Sequence, residues 1–435
     1  MAGIIKTYDL RKKGPLIPSV FRVRERISPS AARLEAEVKK IVEVVAADGD
    51  VAVAAFTSQF DGVELAPRQF EIKRSEISSA LRKIDRDVRR SMGKALKNIK
   101  EFHEKTMPRS RQYRQPDGVK LGERITPIDR VGVYVPGGKA FYPSTVLMTV
   151  VPAKVAGCTE VVVVSPPSYG GTIHPAILAA ASLAGADRVF RIGGAQAIAA
   201  LAYGTKTVPA VDKIVGPGNV YVTTAKRLVS DAVEVDKEAG PTEIVIVADS
   251  NADARWVAAD MLAQAEHEEE AVAMLLTDSA QLVREVVTEI EKQIEKSPRK
   301  RFAEQALTRY GAIVLTSDLT HAAQLANVRA PEHLSLMVEK PAAVLKLIKN
   351  AGAIFVGPYT PVAVGDYIAG PSHVLPTRGA ARSASALTVN DFLKRSSVIT
   401  YTKKRLSKEA DDIVRLAEAE GLDAHAESIR LRLER

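Results

Sequence analysis

Short runs of β-branched residues alternate with helical stretches along the chain from Arg130 onward. Each run is short enough to be a buried strand, and Ala-rich stretches such as HPAILAAASLAGA separate the runs VGVYV, EVVVVS, RVFRI and EIVIVA. The alternation continues through AVAMLLT, GAIVLT and AIFVG. Strands that alternate with helices predict an α/β fold with parallel sheets and helices on both faces. Roughly 300 residues of this pattern fit two α/β units better than one.

Helical patterns flank this region on both sides. Residues 31–107 are predicted to be mainly helical, and AARLEAEVKKIVEVVAADG has near-helical apolar spacing that ends at a capping glycine, Gly49. Residues 108–129 interrupt the pattern with Pro and Gly, which predicts a linker. The alternation ends at Asp391, and SKEADDIVRLAEAEGLDAHAESIRLRLER predicts a helical tail.

The net charge of +9 is concentrated in one segment. Residues 67–130 hold 18 Lys or Arg and 9 Asp or Glu, a difference of +9, so the remainder is neutral. A basic segment with Tyr113 inside RSRQYRQ leaves nucleic-acid binding open as an alternative. We favour a solvated helical face and a flexible connector, because acids such as Glu71 and Asp85 are dispersed among the bases. Nucleic acid is therefore not expected as a partner.

The composition, 46% hydrophobic and 26% charged, is ordinary for a globular protein. The start, MAGIIKTYDLRKKG, lacks the apolar region and cleavage site of a secretory signal, and the apolar stretches are too short to span a bilayer. The single cysteine, Cys158, excludes an internal disulfide and fits a reducing compartment. We expect a cytoplasmic protein with no membrane partner.

Four of the seven histidines lie in unusual polar clusters, QAEH, PEH, GDYIAGPSH and GLDAH. In the first, Gln264 and His267 continue the apolar stripe of Val257 and Met261, and their i, i+3 spacing puts them on one helix face. Two such side chains can reach a common ion, although a lone His at a helix end is more often structural. The cluster alone therefore leaves both interpretations open.

The other clusters add carboxylates and imidazoles. Glu332 and His333 follow Pro331 on a turn or strand start, where a carboxylate and an imidazole can divide proton transfer between them; the alternative is an exposed polar loop. Asp366 is a candidate oxygen ligand, and His373 a candidate substrate contact. With His425, the residues Gln264, His267 and Asp366 form a nitrogen and oxygen ligand set acceptable to zinc, although spacing does not show that they meet.

The glycine-rich segments are VPGGKAFYPS, RIGGAQA and IVGPGNVY. None fits the dinucleotide fingerprint GxGxxG, because Tyr221 stands where the third glycine belongs. The motifs alone therefore predict no dinucleotide site. The glycines still allow the backbone to approach a ligand closely, and turns after strands are where open α/β sheets bind ligands.

Taken together, these segments resemble the histidinol dehydrogenase family. The resemblance runs in order over nearly the whole chain and is carried by RVGVYVPGGKAFYPSTVLMTVVPAKVAGC, GGAQAIAALAYGT, VDKIVGPGNVYV, AGPTEIVIVAD, QAEH, APEHL, GDYIAGPSHVLPT, DFLKRSS and EGLDAHAESIR. It is weakest in the first thirty residues and in the basic region 67–120. The implied activity is a zinc-dependent, four-electron oxidation of L-histidinol to L-histidine with two NAD.

The resemblance also implies roles for matching residues. Zinc, one per subunit, is expected on Gln264, His267, Asp366 and His425. Proton transfer falls to Glu332 and His333. The expected substrate contacts are Thr242, His333, His373 and Glu420, and the expected NAD contacts in a Rossmann-like unit without the fingerprint are Tyr134, Gln196 and Asn219.

The implied architecture has four parts and a two-fold axis. They are an N-terminal arm (1–25), a first α/β domain with the metal and catalytic residues (26–130 and 244–385), an NAD-binding α/β domain (131–243) and a C-terminal helical tail (386–435). The resemblance predicts a homodimer in which the tail supplies Glu420 and His425 to the partner's site, and the alternative is a tail that serves its own chain.

Two residues depart from the family pattern. Thr242 stands where Ser is common, which keeps the hydroxyl and adds a methyl group, and Glu268 stands where Gly is common. Pocket size cannot be seen in the sequence, so a paralogue that oxidises another small primary alcohol is the alternative function. Cys158 lies in the apolar context VAGCTEVVVV, and we expect an inert thiol rather than a nucleophile.

Overall fold

The computed structural model describes residues 4–11, 21, 31–137, 141–236 and 240–434. Most of the predicted N-terminal arm and part of VPGGKAFYPS lie outside these residues. The helices are α1 (Ala31–Asp48), α2 (Asp50–Asp61), α3 (Arg74–Ala80), α4 (Arg86–Lys105), α5 (Pro143–Ala156), α6 (Pro175–Ala184), α7 (Gly194–Tyr203), α8 (Val220–Leu228), α9 (Ala254–Ala265), α10 (Ala280–Ile294), α11 (Lys300–Tyr310), α12 (Leu319–Arg329), α13 (Pro341–Leu345), α14 (Val362–Tyr367), α15 (Lys403–Ala419) and α16 (Asp423–Leu433). The strands are β1 (Lys6–Asp9), β2 (Arg111–Arg114), β3 (Lys120–Pro127), β4 (Arg130–Tyr134), β5 (Glu160–Val164), β6 (Arg188–Phe190), β7 (Lys213–Val215), β8 (Glu234–Val235), β9 (Glu243–Ala248), β10 (Val272–Thr277), β11 (Ala312–Leu315), β12 (His333–Met337), β13 (Ala353–Val356) and β14 (Leu393–Thr400).

Two parallel sheets organise the chain. The larger has the order β1-β11-β10-β9-β12-β13, and the smaller has the order β6-β5-β4-β7-β8. Apart from the added edge strand β1, both follow the same doubly wound order, in which the chain reverses direction beside its first strand. Strands β9, β10 and β12 are buried along their whole length, as β-branched runs in parallel sheets should be. The prediction of two α/β units with parallel sheets is confirmed.

The N-terminal helices pack against the helices that cover the smaller sheet. Helix α1 contacts α7 and α8, α3 contacts α6, and α4 contacts α5. One apolar cluster joins α1 and α2 to β4, β5 and α7, and a second joins α3 and α4 to α5 and α6. The sequence-based division groups residues 26–130 with 244–385, and that domain division stays a prediction.

The prediction that residues 108–129 form a linker is wrong. Residues 108–129 contain β2 and β3, which form an antiparallel sheet of order β14-β3-β2. Strand β14 also interrupts the predicted helical tail before α15 and α16 begin. These strands are exposed or half-buried, so they lack the buried runs that marked the parallel sheets.

The basic segment includes a solvated helix face, as expected. Helix α4 buries Met92, Ala95 and Ile99, and its exposed face carries ion pairs one turn apart, such as Arg90–Asp87 and Lys105–Glu101. Within the described residues, no helix has both the length and the apolar character needed to cross a membrane.

One buried polar side chain on α4, that of His103, has no hydrogen-bond partner among the described residues. His103 is fully buried, packs edge-on against Phe102, and has no hydrogen-bond partner for either ring nitrogen. Burial lowers the pKa of His103 to about 4, although the charge of Asp391 opposes the shift. The folded protein therefore holds a neutral imidazole here.

This burial predicts an acid-sensitive contribution to stability. The pKa of His103 is about 4 in the folded chain, against 6.5 for a histidine in water. The free energy of unfolding is therefore at its full value above pH 6.5. It falls as the pH drops toward 4, because the unfolded chain binds a proton that the folded chain does not. At pH 5 the loss amounts to about 2 kcal/mol. His103→Leu should therefore lose less apparent unfolding free energy between pH 8 and pH 5 than the unmodified chain, measured by urea unfolding. The half-buried His321, replaced by Gln, is the control, and an unchanged pH dependence in His103→Leu would contradict the prediction.

Candidate active site

The predicted catalytic residues meet at the amino ends of two adjacent strands. Thr242 precedes β9, Glu332 precedes β12, and His333 opens β12 opposite Ile244. Adjacent parallel strands bring their amino ends to one edge of the sheet, so these side chains converge there. Together they form part of the wall of a cavity of about 340 Å³, lined among others by Thr242, Gln264, His267, Glu332, His333, Asp366 and His373.

Glu332 is held by hydrogen bonds from the neighbouring strand. Its Oε2 accepts from the Thr242 hydroxyl at 2.6 Å and from the Glu243 backbone N–H at 2.9 Å. The Gln264 amide nitrogen donates in turn to the Thr242 hydroxyl. One carboxylate oxygen is therefore engaged, and the second is left for a bound molecule.

His333 is oriented through one ring nitrogen. Its Nδ1 lies 3.0 Å from the Glu243 carbonyl oxygen and 3.4 Å from Glu332 Oε2. Its Nε2 is buried without a hydrogen-bond partner among the described residues and lies 4.0 Å from Asp366 Oδ1. The arrangement fixes the ring and keeps Nε2 available for proton exchange with a ligand.

The two groups shift each other's pKa in opposite directions. Burial alone would raise the pKa of Glu332, but attraction to the His333 imidazolium and the hydrogen bonds from Thr242 and Glu243 hold that pKa below its usual range. Burial alone would lower the pKa of His333, but Glu332, Asp366 and the Glu243 carbonyl raise it to about 9. The pair as it stands favours a carboxylate beside an imidazolium.

His373 lies at the cavity between Asp366 and helix α5. Its Nδ1 lies 3.1 Å from the Asp366 carbonyl oxygen, and its Nε2 lies 3.4 Å from the hydroxyl of Thr145 on α5. Thr145 was not singled out from the sequence, because a threonine inside an apolar helix carries no functional pattern. The cavity therefore lies between the carboxyl ends of the smaller sheet's strands and the amino ends of the larger sheet's strands.

The predicted metal donors are brought together only in part. Gln264 is buried on the last turn of α9, His267 lies just after that helix, and Asp366 lies on α14, all on the cavity wall. An amide oxygen, an imidazole and a carboxylate are donors that suit zinc. Across the described parts of the chain, no three His, Cys, Asp or Glu side chains are close enough to hold a metal. The donor types are therefore acceptable to zinc, but these described residues do not by themselves form a metal site.

Glu420 and His425 do not reach this cavity. Glu420 follows α15 and His425 lies on α16, and both are exposed and absent from the cavity lining. Helices α15 and α16 pack mainly on each other, and α15 also contacts the segment around Asp117. A single chain therefore leaves the tail's two predicted contributions outside the site.

The three predicted NAD contacts share a second cavity of about 640 Å³. Tyr134 ends β4, Gln196 lies on the first turn of α7, and Asn219 caps α8 by accepting from the N–H groups of residues 221 and 222. Both helix N-termini face this cleft, beside the strands where the chain reverses direction, which is where doubly wound sheets bind ligands. The amide of Gln196 is buried, and neither of its polar atoms has a partner within the described chain.

A loop of residues 216–218, called the glycine loop below, lies between the two cavities. Pro136 and Gly218 line the first cavity, while Gly137 and Asn219 line the second. Gly216 adopts φ 110°, and a Cβ there would lie 2.2 Å from the Tyr134 carbonyl oxygen, so only glycine fits. A ligand that spans both cavities would have to pass this loop.

A buried ion pair holds that loop. Lys226 on α8 donates to the Gly216 carbonyl and to Asp236, both at 2.5 Å, and Asp236 accepts from the Gly216 N–H at 2.6 Å. Both side chains are almost fully buried. Sequence reasoning missed this pair, because a lysine and an aspartate ten residues apart form no motif.

The two departures from the family pattern contact each other. The Glu268 carboxylate accepts from the Thr242 backbone N–H at 3.2 Å and lines the same cavity. Helix α9 ends at Ala265, so Glu268 lies beyond the helix. The structure thus shows how the chain accommodates a side chain where glycine is common.

Comparisons with known proteins agree with the geometry. A family model described as histidinol dehydrogenase matches residues 24–433. The chain is 50% identical over 398 residues to a histidinol dehydrogenase of a Synechococcus strain, covering 92% of each chain. It is 47% identical over 431 residues to that of Aquifex aeolicus, covering 98% of each. A crystal structure of histidinol dehydrogenase from Elizabethkingia anophelis matches with a TM-score of 0.93 and 33% identity, covering 100% of this chain and 99% of that chain.

Proposed function

The chain belongs to the histidinol dehydrogenase family of oxidoreductases, and we propose that it oxidises L-histidinol through L-histidinal to L-histidine with two NAD. The first step turns the alcohol and one NAD into the aldehyde, NADH and a proton. The second turns the aldehyde, water and another NAD into the carboxylate, NADH and two protons. The buried Glu332–His333 pair, on a cavity next to a dinucleotide-type cleft, carries this proposal.

His333 accepts the hydroxyl proton in the first step, and only the neutral ring can do so. Because the pKa of His333 is about 9, this step should become faster as the pH rises toward 9. Its Nδ1 is held by the Glu243 carbonyl and Glu332, so Nε2 is the nitrogen that exchanges a proton with the substrate. Glu332, in contact with the ring, stabilises the imidazolium that results. NAD, when bound, accepts the hydride.

Glu332 activates water for the second step. Its Oε2 is engaged by Thr242 and Glu243, which leaves Oε1 to accept a proton from a water molecule. Thr242 keeps the hydroxyl that the family pattern provides with Ser, and it orients the carboxylate by donation. His333 again takes a proton when the second hydride leaves.

Gln264, His267 and Asp366 hold zinc in this proposal, and His425 of a second subunit completes the set. Zinc, when bound, would hold the substrate's nitrogen donors and so orient the reacting carbon. His373 contacts the substrate beside Asp366, and Glu420 joins it from the second subunit. The donor types and their shared cavity support this assignment.

The position of the tail supports a homodimer with shared sites. Glu420 and His425 lie outside their own chain's cavity, and the tail exposes Leu416 and Leu431 to solvent. A two-fold interface would bury these apolar side chains and create two identical shared sites. The alternative function, a family member that oxidises another small primary alcohol, uses the same groups, and NADH formed per substrate in a panel of alcohols separates the two.

The proposed division of labour predicts a step-specific defect. Glu332→Gln keeps the shape but removes the base, so it should slow aldehyde oxidation about 100-fold more than alcohol oxidation. His333→Asn should slow both steps, because both release a proton. Rapid-mixing measurements of NADH formation, started from histidinol and from histidinal, report each step, with Thr242→Ser as the control that keeps the hydroxyl. Equal losses at both steps in Glu332→Gln would contradict the assignment.

The metal assignment predicts a site that can be emptied and refilled. Without thiolate ligands, the site should lose zinc to a strong chelator and regain about one zinc per chain, measured by metal analysis and calorimetry. His267→Asn and Asp366→Asn should each weaken zinc binding at least tenfold, whereas the matched control His174→Gln, outside the cavity, should not. Unchanged zinc content in both cavity variants, or full turnover without metal, would refute the site.

The shared-site arrangement predicts complementation between two inactive variants. His333→Asn and His425→Asn place their lesions in the cavity and in the tail. If the tail acts on the partner, a mixed dimer has one doubly altered site and one intact site, so co-expression should restore activity. If the tail serves its own chain, each site keeps a lesion, and purified mixed dimers without activity would show this.

A further inference from the structure

Asp61 is an unexplained carboxylate on the wall of the cleft that holds Tyr134, Gln196 and Asn219. It is the last residue of α2, in the helical layer that covers the smaller sheet. The side chain is half-buried, and its Oδ2 is buried with no hydrogen-bond partner among the described residues. Burial raises the pKa of Asp61 to about 6. The residue took no part in the sequence interpretation or in the proposed chemistry.

The position is unfavourable for a carboxylate in the empty cleft. The last turn of a helix carries partial negative charge, so an acid there is repelled by the helix's own carbonyl groups. Burial adds a second cost, and the unpartnered oxygen adds a third. A ligand that donates hydrogen bonds would offset all three, and an anionic ligand group would worsen them.

The neighbours of Asp61 point to the same ligand. Gln196, across the cleft, has a buried amide whose two polar atoms find no partner in the described part of the chain. The Tyr134 hydroxyl accepts from the Gly194 N–H at 3.2 Å, and after burial the charge of Asp61 contributes to raising the pKa of Tyr134 to about 12. Buried groups that lack partners on both sides of one cleft indicate a polar ligand between them.

The sheet itself lacks the acid that a dinucleotide needs. In doubly wound folds, an acid near the end of the second strand accepts hydrogen bonds from the ribose diol. Here the second strand, β5, ends at Val164 and is followed by Ser165 and Pro166, without a carboxylate. Asp61 reaches the cleft from α2 instead, and apolar side chains of α2 share one cluster with those of β5.

We propose that Asp61 binds the vicinal diol of the adenosine ribose of NAD and selects against a dinucleotide with a phosphate on the 2′ oxygen. The inference rests on the proposed use of NAD in this cleft. A diol supplies donors to the carboxylate, whereas a 2′-phosphate would add negative charge beside it. The other charged side chains on the cleft wall, Glu37 and Lys40, are exposed, so water screens their charges.

The test measures dinucleotide binding directly. Asp61→Asn should weaken NADH binding about tenfold or more, the expected loss of hydrogen bonds to a charged group. It should leave NADPH binding unchanged or strengthen it, so that the preference for NADH falls at least tenfold. Calorimetry and the fluorescence of bound NADH and NADPH report both affinities without turnover. The control Glu37→Gln removes an exposed carboxylate from the same cleft and should leave the preference unchanged.

The outcomes separate this inference from the proposed function. The melting temperature of Asp61→Asn should equal or exceed that of the unmodified chain, because an unpartnered buried charge is removed. If the unmodified chain prefers NADH and Asp61→Asn keeps the same affinities, the role of Asp61 is refuted and NAD use stands. If the unmodified chain binds neither dinucleotide, the proposed function fails first.

Discussion

The parallel pairing of β9 with β12 is the constraint on which the active site depends. It sets His333 opposite Ile244 and brings the Glu243 backbone within hydrogen-bonding distance of both Glu332 and His333. Behind this edge, Arg329 and the Glu243 side chain form an ion pair that is almost completely buried. Removing one partner of such a pair costs about 3–5 kcal/mol, so the pair holds the end of α12, four residues before His333, against the start of β9. A shift of one residue would turn every side chain of β12 to the other face.

The two sheets contribute opposite ends of their strands to two neighbouring cavities. The smaller sheet presents its carboxyl ends to the second cavity, as doubly wound sheets usually do, whereas the larger presents its amino ends to the first. The glycine loop at Gly216, held by Lys226 and Asp236, lies between the cavities. Any ligand that joins the cavities is therefore positioned by a rigid backbone segment, which suits a reaction that needs accurate alignment.

The sequence predicted the parts of this structure that depend on local pattern. Buried β-branched runs marked the parallel strands, and the polar clusters marked Glu332, His333 and His373, which the structure brings to one cavity. It could not predict β2 and β3, because the central strand β3 pairs with β14, which is far away in the chain, and the strands are exposed or half-buried. Lys226, Asp236 and Asp61 were missed for a related reason: each acquires its meaning from burial and contact, which single residues do not reveal.

The tail links the incomplete metal site to the exposed apolar surface. In one chain, the donors Gln264, His267 and Asp366 stand on the cavity wall, while His425 is held on an exposed helix. The same tail exposes Leu416 at 69% and Leu431 at 58%, which is unfavourable for a lone chain. Docking of the tail on a second copy would bury the exposed leucines. It would also place the His425 imidazole beside the other proposed metal donors. In the proposed homodimer, burial of the tail would therefore favour assembly, and a complete site would form only where two chains meet.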